Sequence, residues 1–227
     1  MANHHMLQIS SRPEWRVVRG GSSSYVRALS ARWEVSLRLA CPVREIQRHD
    51  HAVDIVSAVG IEHFDQVVMA CHSDSVLTLL RDPTAAEREI LGAIRYQSND
   101  TVLHTDVRLL PQDRRAWAAW NANIPLQASD QCTVSYCMNV LQSLDSREPF
   151  IVTLNRSDAI DPTKVLARMH YEHPIYTRES VAAQARRSEI NGQDRIWYAG
   201  AYWGWGFHED GLRSAVDVAT ALGVRWP

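Results

Sequence analysis

The chain has 227 residues, a formal net charge of -2, and 45% hydrophobic and 22% charged residues. This balance gives no electrostatic basis for nucleic acid or an anionic membrane as the main partner. No apolar run reaches the roughly 18 to 20 residues of a membrane-spanning helix. The four cysteines form no CxxC pair. We therefore expect a globular cytoplasmic protein with free thiols and no membrane span.

Two glycines follow a short β-type run in "EWRVVRGGSSSYVRALSARW". The pattern predicts a strand over residues 15–18 and a turn at Gly20 and Gly21. A helix follows, with Ser22 or Ser23 as its N-terminal cap.

Alternating apolar residues predict strands in the next three segments, "EVSLRLACPVREIQR", "AVDIVSA" and "FDQVVMACH". The first segment is expected to hold two strands, over residues 35–39 and 43–46. Gly60 lies between the other two segments, so we expect those two to pair as a hairpin. The unbroken apolar run over residues 67–70 is typical of a strand buried on both faces.

The segment "SDSVLTLLRDPTAAEREILGAI" predicts two helices separated by Pro83. Ser73 or Asp74 is expected to cap the first helix. Thr84 and Glu87 form a capping-box pattern for the second.

The rest of the chain mixes strands and helices. The segments "DTVLHTDVRLL", "CTVSYCMNVLQ", "PFIVTLNRS" and "RIWYAGAYW" predict strands. A helix is expected in "TRESVAAQARRSEI", with Thr177 and Ser180 near its start. Another is expected in "DGLRSAVDVATALG", closed by Gly223. The order predicts a mixed α/β protein.

Searches for catalytic and metal-binding motifs are mostly negative. The sequence contains no GxSxG, GxxxxGK[ST], HExxH or GxGxxG. Cys132 and Cys137 lack the partners of a zinc site. His170 and His173 have a metal-chelating spacing only on a helix, which the nearby Pro174 opposes. We expect no metal, and no titratable group stands out as a catalytic base.

The stretch "IWYAGAYWGWGFHEDGL" concentrates glycine and tryptophan ahead of the last helix. Backbone N–H groups of the first turn, residues 210–213, suit an anionic or electron-rich acceptor such as a reduced flavin. Trp203 and Trp205 can stack on such a ring. The alternative is a packed turn over a core. The glycines that would allow close approach to a ligand are Gly204, Gly206 and Gly211.

The same stretch resembles the C-terminal flavin motif of the flavin-containing amine oxidase superfamily. Three earlier segments resemble that superfamily in the same order: "WRVVRGGSSSYVRAL", "CPVREI" and "FDQVVMACHSDSVLTLL". "RYQSNDTVLHTD" and "SYCMNVLQSL" are similar to a bacterial branch of amine-oxidase-like, NAD/FAD-binding proteins. A similar domain is fused to some plant cyclopropane fatty acid synthases, which indicates lipid chemistry.

The resemblance implies a fold and an activity. Residues 1–72 and 190–227 would form a partial, Rossmann-like FAD-binding domain of the GR2 type. Residues 73–189 would form an inserted substrate domain with a mixed or antiparallel sheet. The implied activity is an FAD-dependent oxidoreductase that transfers hydride from a small apolar, lipid-like substrate to the flavin.

The resemblance also implies site residues. Val43 would contact the adenine through its main chain, and Gly200 and Ala201 would pass the ribityl-pyrophosphate region. The substrate side would include His104, for which a buried structural histidine is the alternative. The implied cofactor-binding residues are Val43, Ala70, Cys71, Gly200, Ala201, Trp205, Gly206, Asp210, Gly211 and Leu212, and the substrate-facing ones are His104, Trp203 and His208.

Three departures from the superfamily pattern leave alternatives open. Ala201 and Tyr202 stand where many members have an acidic residue, and "SNDTVLHTD" lacks the lysine found near flavin N5. The GxGxxG unit that binds the pyrophosphate is absent. The chain is thus expected to be a fragment or truncated form, or to receive this unit from a separate polypeptide. A non-catalytic lipid- or protein-binding module without flavin is the alternative function.

Overall fold

The computed structural model describes residues 16–124 and 131–225. Ten strands and six α-helices lie in these residues, which confirms the predicted mixed α/β class. The chain divides into two compact units: residues up to 37 with 100–170, and residues 38–99 with those from 171 onward. The strands are β1 (Val43–Arg48), β2 (Val53–Ser57), β3 (Gly60–Phe64), β4 (Val67–Met69), β5 (Tyr96–His104), β6 (Trp120–Asn123), β7 (Thr133–Cys137), β8 (Ile151–Leu154), β9 (Val165–Pro174) and β10 (Ile196–Tyr198).

The six helices are distributed over both units. Among the described residues, none is long and apolar enough to cross a membrane. They are α1 (Ser22–Ser30), α2 (Ser73–Leu79), α3 (Ala85–Gly92), α4 (Met138–Leu141), α5 (Arg178–Ala185) and α6 (His208–Ala221).

The second unit contains two small sheets. Strands β1, β2 and β3 form an antiparallel sheet, in which Val53 of β2 faces Phe64 of β3. Strands β4 and β10 form a parallel pair, in which Val67 faces Ile196 and Met69 faces Tyr198. The two sheets and α2, α3 and α5 share one apolar core around Ile46, Val76, Ile90, Ile190 and Tyr198, among other side chains.

A buried carboxylate lies inside this core. Glu87 of α3 is 2% exposed and accepts hydrogen bonds from the Arg48 guanidinium and the Tyr198 hydroxyl. Its second oxygen accepts the Thr84 amide at 2.7 Å. Burial raises the pKa of Glu87, but its hydrogen bonds and the Arg48 charge lower the pKa by more, so the net shift is downward. Because its partners lie on β1 and β10, Glu87 holds both sheets to α3.

The first unit contains most of the five-stranded sheet, whose order is β6-β7-β8-β5-β9. Strands β6, β7, β8 and β5 pair antiparallel with their neighbours. Small apolar clusters pack around Val102 and Ile151. Asp106 follows β5, is fully buried, and accepts hydrogen bonds from Arg108 and the Asp161 amide.

The helix signals in the sequence are largely confirmed. Thr84 caps α3 and forms a capping box with Glu87, and Thr177 does the same for α5 with Ser180. The caps predicted for α1 and α2 were wrong, because Gly21 and His72 are the capping positions and no side chain caps either helix.

Two strand predictions near the N-terminus were wrong. Residues 16–18 and 35–39 are not in strands, whereas residue 15 lies outside the described residues. In both runs the apolar side chains are exposed, including Val17, Val35, Leu37 and Leu39. A strand needs a partner strand to pair with and a core on which its apolar side chains can pack. None of the described elements provides these for the two runs.

The predicted hairpin also had the wrong partner. Strand β2 pairs with β3, which begins at Gly60, whereas the strand over residues 67–69 pairs with β10. The prediction that the strand over residues 67–70 is buried on both faces was also wrong, because Val68 is 44% exposed while Val67 and Met69 are buried. Strand β9, ten residues long, was not predicted.

Candidate functional site

The carboxyl ends of β4 and β10 meet at one edge of their parallel pair. The Ala199 amide donates to the Met69 carbonyl at 3.0 Å, which extends the pairing by one step. Ala70 and Cys71 follow β4, and Gly200 and Ala201 follow β10 shortly afterwards. The structure thus brings four of the predicted cofactor-binding residues to one edge, where open α/β sheets bind ligands.

The turn after β10 is packed by the protein's own side chains. A Cβ atom on Gly200 would overlap the Tyr202 ring, and one on Gly204 would overlap the Asp210 carboxylate. These two glycines are therefore required by internal packing. The alternative of a packed turn over a core explains them without a ligand.

Asp210 organises the start of α6. Its carboxylate is buried and accepts the amides of Trp205 at 2.9 Å and Phe207 at 3.1 Å. Arg213 donates to the other oxygen at 2.6 Å and neutralises the charge. The carboxylate thus folds the glycine turn against the helix and does not itself project as a ligand group.

Gly206 and Trp205 contact a tyrosine that the sequence did not single out. Gly206 has φ +87°, and a Cβ atom there would lie 2.7 Å from the Tyr176 hydroxyl. The Tyr176 and Trp205 rings are 5.3 Å apart. Burial, with the Asp210 charge as a further cause, raises the pKa of Tyr176 to about 12.

The remaining predicted residues occupy several environments. Helix α6 begins at His208, two residues before the expected start, so Gly211 and the exposed Leu212 lie in its first turn and a half. A Cβ atom on Gly211 would meet Ala201 only at ordinary contact distance. Val43 begins β1, is partly buried, and packs on the core of the second unit.

His104 lies in the first unit and is fully buried. The Asp106 amide donates to its Nδ1 at 3.1 Å, so the neutral ring carries its proton on Nε2, which lies 2.8 Å from the Thr153 hydroxyl. Thr153 continues the network to Ser135 at 2.8 Å. Burial lowers the pKa of His104. Both nitrogens are engaged, which favours the alternative of a structural histidine.

Sequence reasoning missed two side-chain contacts in the second unit. The His72 ring stacks on Tyr96, with centroids 4.4 Å apart and planes 15° apart. Asn99 Nδ2 and His173 Nδ1 are 3.0 Å apart. One signal was available: in the segment "FDQVVMACHSDSVLTLL", which resembles the superfamily, His72 stands where other members have a proline.

Two buried donors test whether the residues fit a flavin. Tyr202 is 3% exposed, and its ring lies 5.0 Å from that of Trp203. Among the described residues, neither the Tyr202 hydroxyl nor the Trp203 indole N–H has a partner at hydrogen-bonding geometry. Such groups are usually paired in folded proteins. The flavin ring and ribityl chain carry acceptors that match them, so this edge fits that half of the cofactor.

The pyrophosphate half fits less well. The chain has no GxGxxG turn, and Asp210 already satisfies two amides beside α6.

In the described part of the chain, no three His, Cys, Asp or Glu side chains are arranged to hold a metal ion. All four cysteines are free.

A family model described as "Flavin containing amine oxidoreductase" matches residues 3–149. The match covers more than half of the chain and ends before the C-terminal glycine-tryptophan stretch. No curated protein matches the sequence.

Solved structures extend the likeness to 90% of the chain. One is the "CLA-producing fatty acid isomerase from P. acnes", with 17% identity and a TM-score of 0.60. Another is wild-type putrescine oxidase bound to putrescine, with 9% identity and a TM-score of 0.59, also over 90% of this chain. The chain spans about half of their length, 52% and 53%. At these identities the likeness shows the fold.

Proposed function

Because the chain belongs to the flavin-containing amine oxidoreductase family, we propose that it is the C-terminal part of an FAD-dependent oxidoreductase. The observation that carries this proposal is the shared edge of β4 and β10. There Ala70, Cys71, Gly200 and Ala201 meet beside the buried Tyr202 donor. When bound, the flavin would supply the hydride acceptor for substrate oxidation.

The chain's own residues would bind and orient the flavin. Backbone groups of Gly200 and Ala201 would face its ribityl chain, and the Tyr202 hydroxyl would donate to one of its oxygens. Trp205 and Tyr176 would pack beside the ring and exclude water. Val43 would hold the adenine through its main chain.

The parallel pair itself supports a missing partner. Parallel sheets are normally larger and covered on both faces, yet among the described strands only β10 joins β4. Val68, in the middle of β4, exposes 44% of its surface. We infer that a strand–GxGxxG–helix unit completes this sheet, from a longer form of the same chain or from a separate polypeptide.

An apolar, lipid-like substrate is the substrate class we propose. Two observations support this class. One structural neighbour is a fatty acid isomerase, and the segment "SNDTVLHTD" lacks the family's lysine. Without that lysine, the amine-oxidising arrangement of the superfamily is incomplete. When bound, the flavin would accept hydride from such a molecule, and the part of this chain would be to position the substrate and exclude water.

The second candidate function is a non-catalytic lipid- or protein-binding module. Gly200 and Gly204, which lie against Tyr202 and Asp210, favour it, because they need no ligand to explain them.

Absorbance spectroscopy separates the two functions. The purified chain is mixed with FAD, with and without a separately produced strand–GxGxxG–helix polypeptide, and desalted.

We expect flavin absorbance to remain with the protein in the two-component mixture, with the band shape of a bound flavin. A mixture that is colourless after desalting, although both polypeptides are folded, would contradict the oxidoreductase and favour the binding module.

A further inference from the structure

Residues 16–37 of the first unit expose most of their apolar side chains to solvent. We call this part of the chain the basic apolar segment; it contains α1, which has no buried residue. Seven large apolar side chains of the segment are at least 48% exposed: Val17, Val18, Val26, Leu29, Trp33, Val35 and Leu37. Single exposed apolar residues are common on protein surfaces, but a concentration of them marks a binding surface.

Helix α1 arranges part of this apolar surface as a stripe. Val26 and Leu29 lie three positions apart, which places both on one face of the helix. The chain keeps turning beyond the end of α1, since the Trp33 amide donates to the Ser30 carbonyl at 3.1 Å. Trp33 follows Leu29 by four positions and so continues the helical spacing. Arg27 lies about 100° around the helix from Val26 and flanks the stripe.

The charged side chains of the segment are nearly all positive. It contains four arginines and one glutamate, a formal charge of +3, whereas the whole chain carries -2. All five side chains are exposed: Arg16, Arg19, Arg27, Arg32 and Glu34. The positive charge is therefore local, and the rest of the chain is net negative.

This combination fits an anionic lipid surface better than a nucleic acid or a protein. A basic helix with an exposed apolar face is typical of binding to a membrane surface. Arginine can lay its apolar stem along the acyl boundary while its guanidinium pairs with a lipid phosphate, and tryptophan favours the same interface. A nucleic acid would leave the apolar side chains without a partner. Burial against a protein would require counter-charges for the arginines.

We propose that the basic apolar segment binds the surface of a membrane that contains anionic phospholipids. Its arginines lie at the lipid phosphates, and its apolar side chains lie at the boundary with the acyl chains. The segment rests on this surface without crossing it, because the nine residues of α1 are far fewer than the roughly 20 of a spanning helix. The proposal goes beyond the proposed function and requires no flavin.

The experiment is co-sedimentation of the full chain with lipid vesicles. One set consists of phosphatidylcholine, and the other of equal parts of phosphatidylcholine and phosphatidylglycerol. We expect at least tenfold tighter binding to the anionic vesicles at about 0.1 M salt. Most of this difference should disappear near 1 M salt, where the Debye length falls from about 10 Å to about 3 Å.

The charge of the segment is tested by Arg19→Gln combined with Arg27→Gln. This variant should bind the anionic vesicles at least tenfold more weakly, because one arginine near such a surface contributes about fivefold. Arg44→Gln combined with Arg88→Gln is the matched control. It removes two exposed arginines of β1 and α3 and changes the net charge equally. Its vesicle binding should stay within twofold of the unmodified chain.

The apolar side chains are tested by Leu29→Ser combined with Leu37→Ser, which should also weaken binding at least tenfold. Ile61→Ser combined with Leu166→Ser is the control, because these side chains lie in β3 and β9 and are exposed to a similar extent. We expect unchanged vesicle binding in the control and unchanged melting temperatures in both variants, since all four side chains are exposed.

Absent binding to anionic vesicles, equal binding to both kinds of vesicle, or equal losses in the segment variants and their controls would overturn the proposal. The separately produced strand–GxGxxG–helix polypeptide tests a protein as the occupant. A complex that still sediments with anionic vesicles supports the lipid surface. A complex that no longer does so, and that Leu29→Ser with Leu37→Ser weakens, would assign the segment to a protein interface instead. No flavin is present in these measurements, so their failure leaves the proposed function untouched.

Discussion

Asp106 shows how one buried carboxylate shapes the first unit. It is fully buried and accepts hydrogen bonds from the Arg108 side chain and from the backbone amides of Arg108 and Asp161. The side-chain bond from Arg108 is the largest cause that lowers the pKa of Asp106, and burial opposes it. A carboxyl group with a lowered pKa in the folded state contributes stability above its unfolded value of about 4.

This contribution should disappear as the pH falls. We expect the free energy of unfolding to decrease from about pH 5 toward pH 2, measured by urea denaturation. Asp106→Asn should be about 2 kcal/mol less stable at pH 7 and should show a shallower acid dependence. Asp113→Asn is the control, because Asp113 also bonds an arginine two residues ahead but is exposed. Parallel pH curves for the two variants would contradict the role of Asp106.

Glu87 makes the corresponding prediction in the second unit. Glu87→Gln should lower the free energy of unfolding by about 3 kcal/mol, because it removes the charge that pairs with Arg48 and Tyr198 in the core. Chemical denaturation measures the change. Glu89→Gln on the same helix is the control, since Glu89 is exposed and should change stability by less than about 1 kcal/mol.

Some roles of single residues were visible in the sequence and others were not. Thr84 and Glu87 form a local capping pattern, so spacing alone predicts their contact. The Tyr198–Glu87 bond joins residues 111 positions apart, and no local pattern encodes it. The same holds for Asn99 and His173, which are separated by 74 positions.

At the scale of elements, the turn before α6 behaves as one packed unit with Asp210 at its centre. Gly204→Ala should lower the free energy of unfolding by about 2 kcal/mol or more, because the new methyl group displaces the Asp210 carboxylate and its bonds to Trp205 and Phe207. Thermal unfolding followed by circular dichroism measures this change.

Gly92→Ala is the matched control. A Cβ atom there has only an ordinary contact of 3.7 Å with Leu77, and the residue ends a helix at negative φ. This variant should be neutral or stabilised by about 0.5 to 1 kcal/mol. Equal destabilisation of the two variants would show that the Asp210 carboxylate does not require a residue without a side chain at position 204.

Elements whose signals are local were predicted well, and those that depend on distant partners were not. Helices α3 and α5 carry capping boxes, and α6 ends before Gly223, which has φ +85°. The pairing of β4 with β10 joins segments about 130 residues apart, so adjacency in sequence gave the wrong hairpin. Strand β9 was missed because its histidines and terminal Pro174 obscure the alternation of apolar residues.

At the scale of the whole molecule, family membership was predicted from four short segments in the correct order. The matching family model covers residues 3–149 and thus supports the first three segments. The fourth, at the C-terminus, lies beyond this match and stays a resemblance, whereas the solved structures share the fold over 90% of the chain. The division into FAD-binding and substrate-binding parts stays a prediction, because the two compact units are defined by packing alone.

The chain lacks a glycine turn for the pyrophosphate, and this makes a quantitative prediction. FAD and riboflavin should bind this chain alone with affinities within about threefold of each other, since only the ring and ribityl chain find partners. Quenching of flavin fluorescence during titration measures both. Binding of FAD more than tenfold tighter than riboflavin would reveal a phosphate site that we have not identified.

The central claim is that a flavin lies at the common edge of β4 and β10. Riboflavin titration of Ala70→Leu tests it most directly, because Ala70 is exposed at that edge. Ala58→Leu, in the exposed turn between β2 and β3, is the matched control. We predict saturable quenching by the unmodified chain and by Ala58→Leu, and at least tenfold weaker binding by Ala70→Leu with unchanged stability. Equal riboflavin binding by the two variants, or no binding by the unmodified chain, would contradict the account.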